Sequence, residues 1–255
     1  MSADRLKTEV LPEVFSDPTR IATYGALEGS TVDVASLAQQ APVTQLAGSI
    51  QRVIAKLTDA DPQVLAQKPS VLARWTGAHL ERTVRYEVAR ESLNELIETA
   101  HVHAQGVRDF LGLLDAGMAS FEHEIGALQD HLQAGREYLA ENPQAGLPAD
   151  GALDFTNHRE RFARKLANLA TLQASHELSL AQLRLVRSSA TDLLDRFEEA
   201  ITVLVPVWRQ QAFALQVGST LSGEQVSRAV HAHAQLTHSL SQSLAALDKG
   251  AGRLH

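Results

Sequence analysis

The chain has 255 residues, only 5% of them aromatic, and no cysteine, which excludes disulfides, thiolate metal sites and thiol redox chemistry and leaves the cytoplasm as the default compartment. No run of about 18 apolar residues occurs and the first turns of chain lack the apolar centre of a secretory signal, so neither a membrane span nor export is expected. A net charge of −7 leaves no cationic surplus to displace phosphate counterions, which argues against nucleic acid as a partner.

Residues 1–30 are polar and interrupted by Pro12, Pro18, Gly25 and Gly29, and read as a largely irregular, at most weakly helical segment. Residues 31–68 read as short helices near 32–40 and 43–57, followed by a turn at Asp61-Pro62. Residues 69–250 read as a bundle of long helices forming a single domain with the short helices before it, with Pro69 at the first helical position. From Leu93 the apolar residues recur in alternating steps of four and three through Ile97, Ala100, Ala104, Val107, Leu111 and Leu114 to Leu128, Leu132, Gly135 and Leu139. This is the 3.5-residue repeat of a coiled-coil-like seam. Five glycines along it, Gly106, Gly112, Gly117, Gly126 and Gly135, weaken the helix and allow a local bend.

The run from Asn142 to Pro148 is the clearest loop, and the second long helix is expected from about Leu153 to about Glu199. Its seam begins at Phe162, Leu166 and Leu169 and ends at Trp208, Gln211 and Leu215. Pro206 lacks an amide donor and crowds the preceding turn, which predicts a kink or short break between Glu199 and Pro206. A last helix starts at Ser222-Gly223-Glu224 and carries the stripe Val226, Val230, His233, Thr237, Leu240, Leu244 and Leu247. The expected fold is all-α: an elongated antiparallel bundle of about three long coiled-coil-like helices with shorter N-terminal helices. Residues 81–141 hold twelve acidic against five basic side chains, and residues 153–196 five acidic against seven basic, so the two long helices carry opposite charge.

Four seam positions on the second helix, Gln173, His176, Arg187 and Gln211, are polar where a bundle favours leucine. A buried polar side chain is costly unless hydrogen-bonded, so these residues form an internal polar layer or, more simply, fix helix register. Arg159, Arg161, Arg164 and Lys165 make a basic patch suited to oxyanions or an acidic partner, although such a run is more often a solvated face. Glu98 and His101 form one Glu-x-x-His pair where a di-iron bundle needs two, and the eleven histidines read as solvated helix residues. No phosphate-binding loop, nucleophile elbow or zinc-protease motif occurs. No catalytic residue, metal ligand set or cofactor is therefore expected, and the chain reads as a non-enzyme.

Three segments carry a resemblance: Leu172-Gln173-Ala174-Ser175-His176, Gln182-Leu183-Arg184-Leu185-Val186-Arg187, and Ile201 through Val205-Pro206-Val207-Trp208-Arg209-Gln210-Gln211. In order and spacing they resemble the L-x-x-S-R, P-Q-I-R-L-I-Q and I-P-L-W-K-N-Q segments of the TelA/KlaA-type toxic-anion (tellurite) resistance proteins. Ile21-x-x-Tyr24-Gly25 and Pro69-Ser70-Val71-Leu72 are weaker, collinear likenesses, so the resemblance covers roughly residues 21–218. His176 stands in place of the family's arginine, Leu183 in place of a proline-glutamine pair, and Gln210 in place of an asparagine. The resemblance implies a bacterial stress-response protein of tellurite resistance with no established enzymatic activity. The expected role is a scaffold with unidentified protein partners, compatible with homo-oligomers and with a peripheral place at the membrane surface. The alternative is direct binding of tellurite, another oxyanion or a metal ion by a polar layer of Gln173, His176, Arg184, Arg187, Trp208 and Gln211.

Overall fold

The computed structural model describes residues 1–27, 40–63, 78–147, 157–217 and 222–251. Among them every regular element is helical and no strand occurs, so the fold is an all-α bundle. In chain order the helices are α1 (Ala3–Arg5), α2 (Leu11–Ser16), α3 (Ala41–Asp59), α4 (Ala78–Glu141), α5 (His158–Glu199), α6 (Val205–Val217) and α7 (Gly223–Ala251). The helix expected near 32–40, apart from Gln40, the helix start expected at Pro69 and the start expected near Leu153 fall on residues outside those described. The chain divides into two compact units, Met1–Ala38 with Leu114–Arg184 and Gln39–Leu113 with Leu185–His255.

In the first unit residues 3–21 are largely helical, where the prolines suggested irregular chain. A π-helical turn, Leu6–Val10, joins α1 to α2, and a 3-10 turn, Pro18–Ile21, follows. Leu6, Leu11, Val14, Ile21 and Tyr24 pack with Leu128, Leu132, Phe162, Leu166 and Leu169 into one core, burial that a polar composition concealed. The rings of Phe15 and Tyr24 each lie about one ring-width from Phe162, at 5.2 and 5.1 Å between centroids. Partners across this unit descend along α5 as they ascend along α4: Glu122 meets Arg184, Gly135 meets Leu166, and Leu139 meets Arg159. The two segments are therefore antiparallel. At Gly135 a Cβ would lie 2.6 Å from Leu166 Cδ2, so the missing side chain is what lets α5 approach.

The turn after α4 is held by residues of both its ends. Gly146 has φ +71°, accepts a hydrogen bond from the Arg159 amide at 3.1 Å, and gives the chain its left-handed reversal. The Arg159 guanidinium donates to the carbonyls of Leu139 and Asn142 at 2.8 and 2.9 Å, satisfying acceptors that the end of α4 leaves open.

In the second unit α3 buries Val43, Leu46, Ile50, Val53 and Leu57 along one stripe, and α7 packs against both α3 and α6. Ser222 and Gln225 form a reciprocal capping box at the start of α7: the Gln225 amide donates to Ser222 Oγ at 3.2 Å, and the Ser222 amide donates to Gln225 Oε1 at 3.1 Å. The inner face of α7 is Ala229, Ala232, Leu236, Leu240 and Ser243, one step off the predicted stripe, because small residues give no apolar signal. Val226, Val230, His233 and Thr237 flank it, half-buried.

No break separates α5 from α6. A second π-helical turn, Ala200–Leu204, keeps the helix continuous up to Val205-Pro206. Widening by one residue moves the carbonyl that the Pro206 ring would strike and leaves no α-helical bond for its missing amide to make. The buried stripe changes step there, running Phe197, Ala200, Val205, Trp208, Ala212 and Leu215, with an interval of five across the turn. Ile201, Leu204 and Gln211, predicted for the seam, are half-buried in consequence.

Candidate functional site

The polar layer of the first unit is built around a residue the periodicity did not single out. Glu124 lies on α4 between Phe121 and Ile125, and its side chain is only 8% exposed. His176, 15% exposed on the facing α5, brings Nδ1 to 3.2 Å from Glu124 Oε2. The contact is close, yet its angles are not those of a hydrogen bond, and both atoms are sealed from solvent with no other partner among the described residues. Glu124 Oε1 accepts a long bond, 3.3 Å, from Ser120 Oγ on its own helix. The Phe121 ring meets the imidazole edge-on at 5.2 Å. A buried carboxylate opposite an imidazole is a layer that either titratable partner alone would leave uncompensated.

Around this pair the other predicted side chains turn to acids. Gln173 donates to Glu177 at 2.7 Å, and Arg184, exposed, donates to Glu122 at 2.6 Å. In the basic patch Arg159 caps α4 as described, Lys165 donates to the Ala22 carbonyl at 2.9 Å, and Arg161 and Arg164 are exposed. Two of the four cations thus serve the fold directly.

In the second unit Trp208 is 1% exposed, and its Nε1 finds no hydrogen-bond partner among the described residues. Arg187 is half-buried and engaged in a polar interaction of its own. Gln211 borders a groove of about 350 Å³ between α6 and α7, with Val207, Ser227, Arg228, His231, Ala232 and Gln235. Among the described residues no carboxylate lines it, although Glu224 Oε1 lies 3.6 Å from Arg228. The predicted polar layer is therefore distributed: Gln173, His176 and Arg184 belong to the first unit, and Arg187, Trp208 and Gln211 to the second.

The histidines are less solvated than their helix positions suggested. His103 Nδ1 is 2.6 Å from the buried Ser49 hydroxyl, which also accepts from Arg52 at 3.0 Å. His131 Nδ1 meets the Ala127 carbonyl at 2.7 Å, and the His131 carbonyl accepts from Tyr24, whose phenol burial pushes well above its usual range. Burial lowers the pKa of His233, with Asp61 opposing it, and its Nδ1 is unpartnered among the described residues. Glu98 and His101 are exposed, and among the described residues no three metal-ligating side chains converge.

The family model of the toxic anion resistance protein (TelA) matches residues 14–247. The chain belongs to this family. It is 47% identical over 248 residues to Protein KlaA of Escherichia coli, covering 96% of each chain. It is also 27% identical over 138 residues to Protein KlaB of Escherichia coli, half of this chain and 36% of that one. No solved structure matches. For this TelA-family chain the three resembling segments occupy distinct surroundings: residues 172–176 end at the imidazole facing Glu124, residues 182–187 carry Arg184 and Arg187, and residues 201–211 span the π-turn and Trp208.

Proposed function

We propose that this chain acts as a non-enzymatic α-helical interaction protein, a scaffold in the cytoplasmic side of toxic-anion resistance. The observation that carries the reading is that carboxylates already occupy the predicted donors of the first unit: Glu124 faces His176, Glu122 accepts from Arg184 and Glu177 accepts from Gln173. An oxyanion entering there would have to displace carboxylates, each at an electrostatic cost. What the helices then offer is surface. Crosslinking in the bacterial host followed by mapping of the crosslinked peptides tests this; recovery of the uncrosslinked monomer alone removes its basis. A peripheral place at the membrane surface belongs to the same reading and is tested by liposome flotation at low salt.

Direct oxyanion binding is the second reading, and the groove between α6 and α7 favours it, because Gln211, Ser227, Arg228, His231 and Gln235 offer donors around one concavity. Calorimetric titration with tellurite and with phosphate at millimolar concentration tests it. Heat that disappears in Arg228→Gln supports this reading over the first, and its absence leaves the first alone.

A further inference from the structure

The outward face of α4 in the second unit is not what a solvated helix requires. Val84, Val88, Val102 and Leu113 are 50%, 58%, 68% and 60% exposed, although each sits on a helix whose opposite side already buries Leu93, Ile97, Ala100, Ala104 and Val107. The four share one helical phase: at about 100° per residue they fall within roughly 40° of one another. Between them Glu91, Glu95, Glu98 and Asp109 hold the same exposed phase. Positions 84, 88, 91, 95, 98, 102, 105 and 109 step by four and three, so the helix carries a second stripe on its outside, in which Val84 and Val88, then Val102, flank an acidic block of Glu91, Glu95 and Glu98, and Gln105 and Asp109 follow. No position of that stripe is basic; Arg85, Arg90 and Arg108 fall at other phases, and Arg108 bonds Glu198 through Nε at 3.0 Å. Among the described residues the one side-chain hydrogen bond to these carboxylates comes from the stripe itself, Asp109 accepting from Gln105 at 3.0 Å.

We infer that this face docks a basic amphipathic helix of another protein, one presenting leucine-like side chains in heptad phase flanked by lysine or arginine. The inference rests on the interaction-protein reading and names the partner's chemistry. Charge decides among occupants. The same face of a second copy would set four carboxylates against four, and anionic lipid or nucleic acid would be repelled. A cationic amphipathic helix instead satisfies both halves of the pattern, apolar contact along the stripe and opposite charge beside it. Steering of this kind gives fast, salt-sensitive and modest association.

The test uses the full chain and a fluorescein-labelled designed peptide of about four heptads, leucine at the seam and lysine beside it, read by fluorescence anisotropy. Binding at about micromolar concentration is expected, weakening roughly tenfold between low and moderately high salt. Glu91→Lys/Glu95→Lys/Glu98→Lys and, separately, Val88→Ser/Val102→Ser/Leu113→Ser should each weaken it about tenfold or more with unchanged circular dichroism, since all six side chains are exposed. A glutamate version of the peptide should not bind. The inference is overturned by silence with the lysine peptide, by equal binding of a sequence-scrambled lysine peptide, or by indifference to both variants. It is also overturned if light scattering shows that the wild-type chain self-associates and the variants do not. A host partner crosslinked to some other face, with the peptide silent, sinks the inference and leaves the interaction reading standing. Tellurite heat at the α6/α7 groove sinks that reading without altering the peptide result.

Discussion

Replacing His176 by leucine takes away the group that faces the Glu124 carboxylate. Glu124 is 8% exposed, so water cannot substitute, and its remaining partner is a Ser120 hydroxyl 3.3 Å away. An uncompensated buried polar group costs about 1–3 kcal/mol, and more when charged. The reverse change, Glu124→Leu, leaves the sealed Nδ1 of His176 opposite a methyl group, at a cost of about 1–2 kcal/mol. The double leucine variant removes both polar groups and extends the apolar stripe of Phe121, Leu128, Leu169 and Leu180 through the layer. Such replacements are often neutral or stabilising. The expected coupling is therefore about 2 kcal/mol or more in favour of the matched states. Urea unfolding of the four proteins, followed by far-ultraviolet circular dichroism with the slope checked for constancy, measures it. Additive losses, or a double variant weaker than both singles, would show that the two side chains do not depend on each other.

Trp208→Ala should cost about 3–5 kcal/mol in urea unfolding, whereas Trp208→Phe, which also discards an unpartnered N–H, should cost less than about 1.5 kcal/mol. Stability should fall on acidification in a way that His233 explains. Burial lowers its pKa from the ordinary 6.5, so the unfolded chain binds the proton first, and the loss begins as pH drops through about 6.5 and continues to the folded value. His233→Leu should flatten that part of the urea-midpoint profile, and an unchanged slope would refute the assignment. Gly146→Ala should lose about 2–4 kcal/mol, because φ is +71° and a Cβ would lie 2.9 Å from the Arg159 amide nitrogen. Gly112→Ala, with nothing within 4 Å, should gain about 0.5–1 kcal/mol in melting-derived stability.

The long seams were legible because periodicity is a backbone property that many residues vote on. Every seam position named from Leu93 to Leu139 and from Phe162 to Leu215 is buried or half-buried, the polar ones included. Single residues off the phase were not legible. Glu124 sits on the shoulder of its stripe, three after Phe121 and four before Leu128, and an acid there looks solvated until the facing helix supplies an imidazole. Its signal was indirect: a seam histidine implies a partner across the interface. Ala229, Ala232 and Ser243 were missed for a different reason, since small side chains are buried by close approach and not by hydrophobicity. The N-terminal helix was hidden by Pro12 and Pro18, which open a helical turn instead of ending one.

Both wide turns share a pattern. Leu6–Val10 precedes Leu11-Pro12 and Ala200–Leu204 precedes Val205-Pro206, and inward side chains are spaced by five across each, from Leu6 to Leu11 and from Ala200 to Val205. Each turn stores a spare residue, the way a tailor leaves slack in a hem. A chain one residue shorter between Ala200 and Val205 would space those two by four and still aim both at the interior. Length can vary there without rotating Trp208 out of its place.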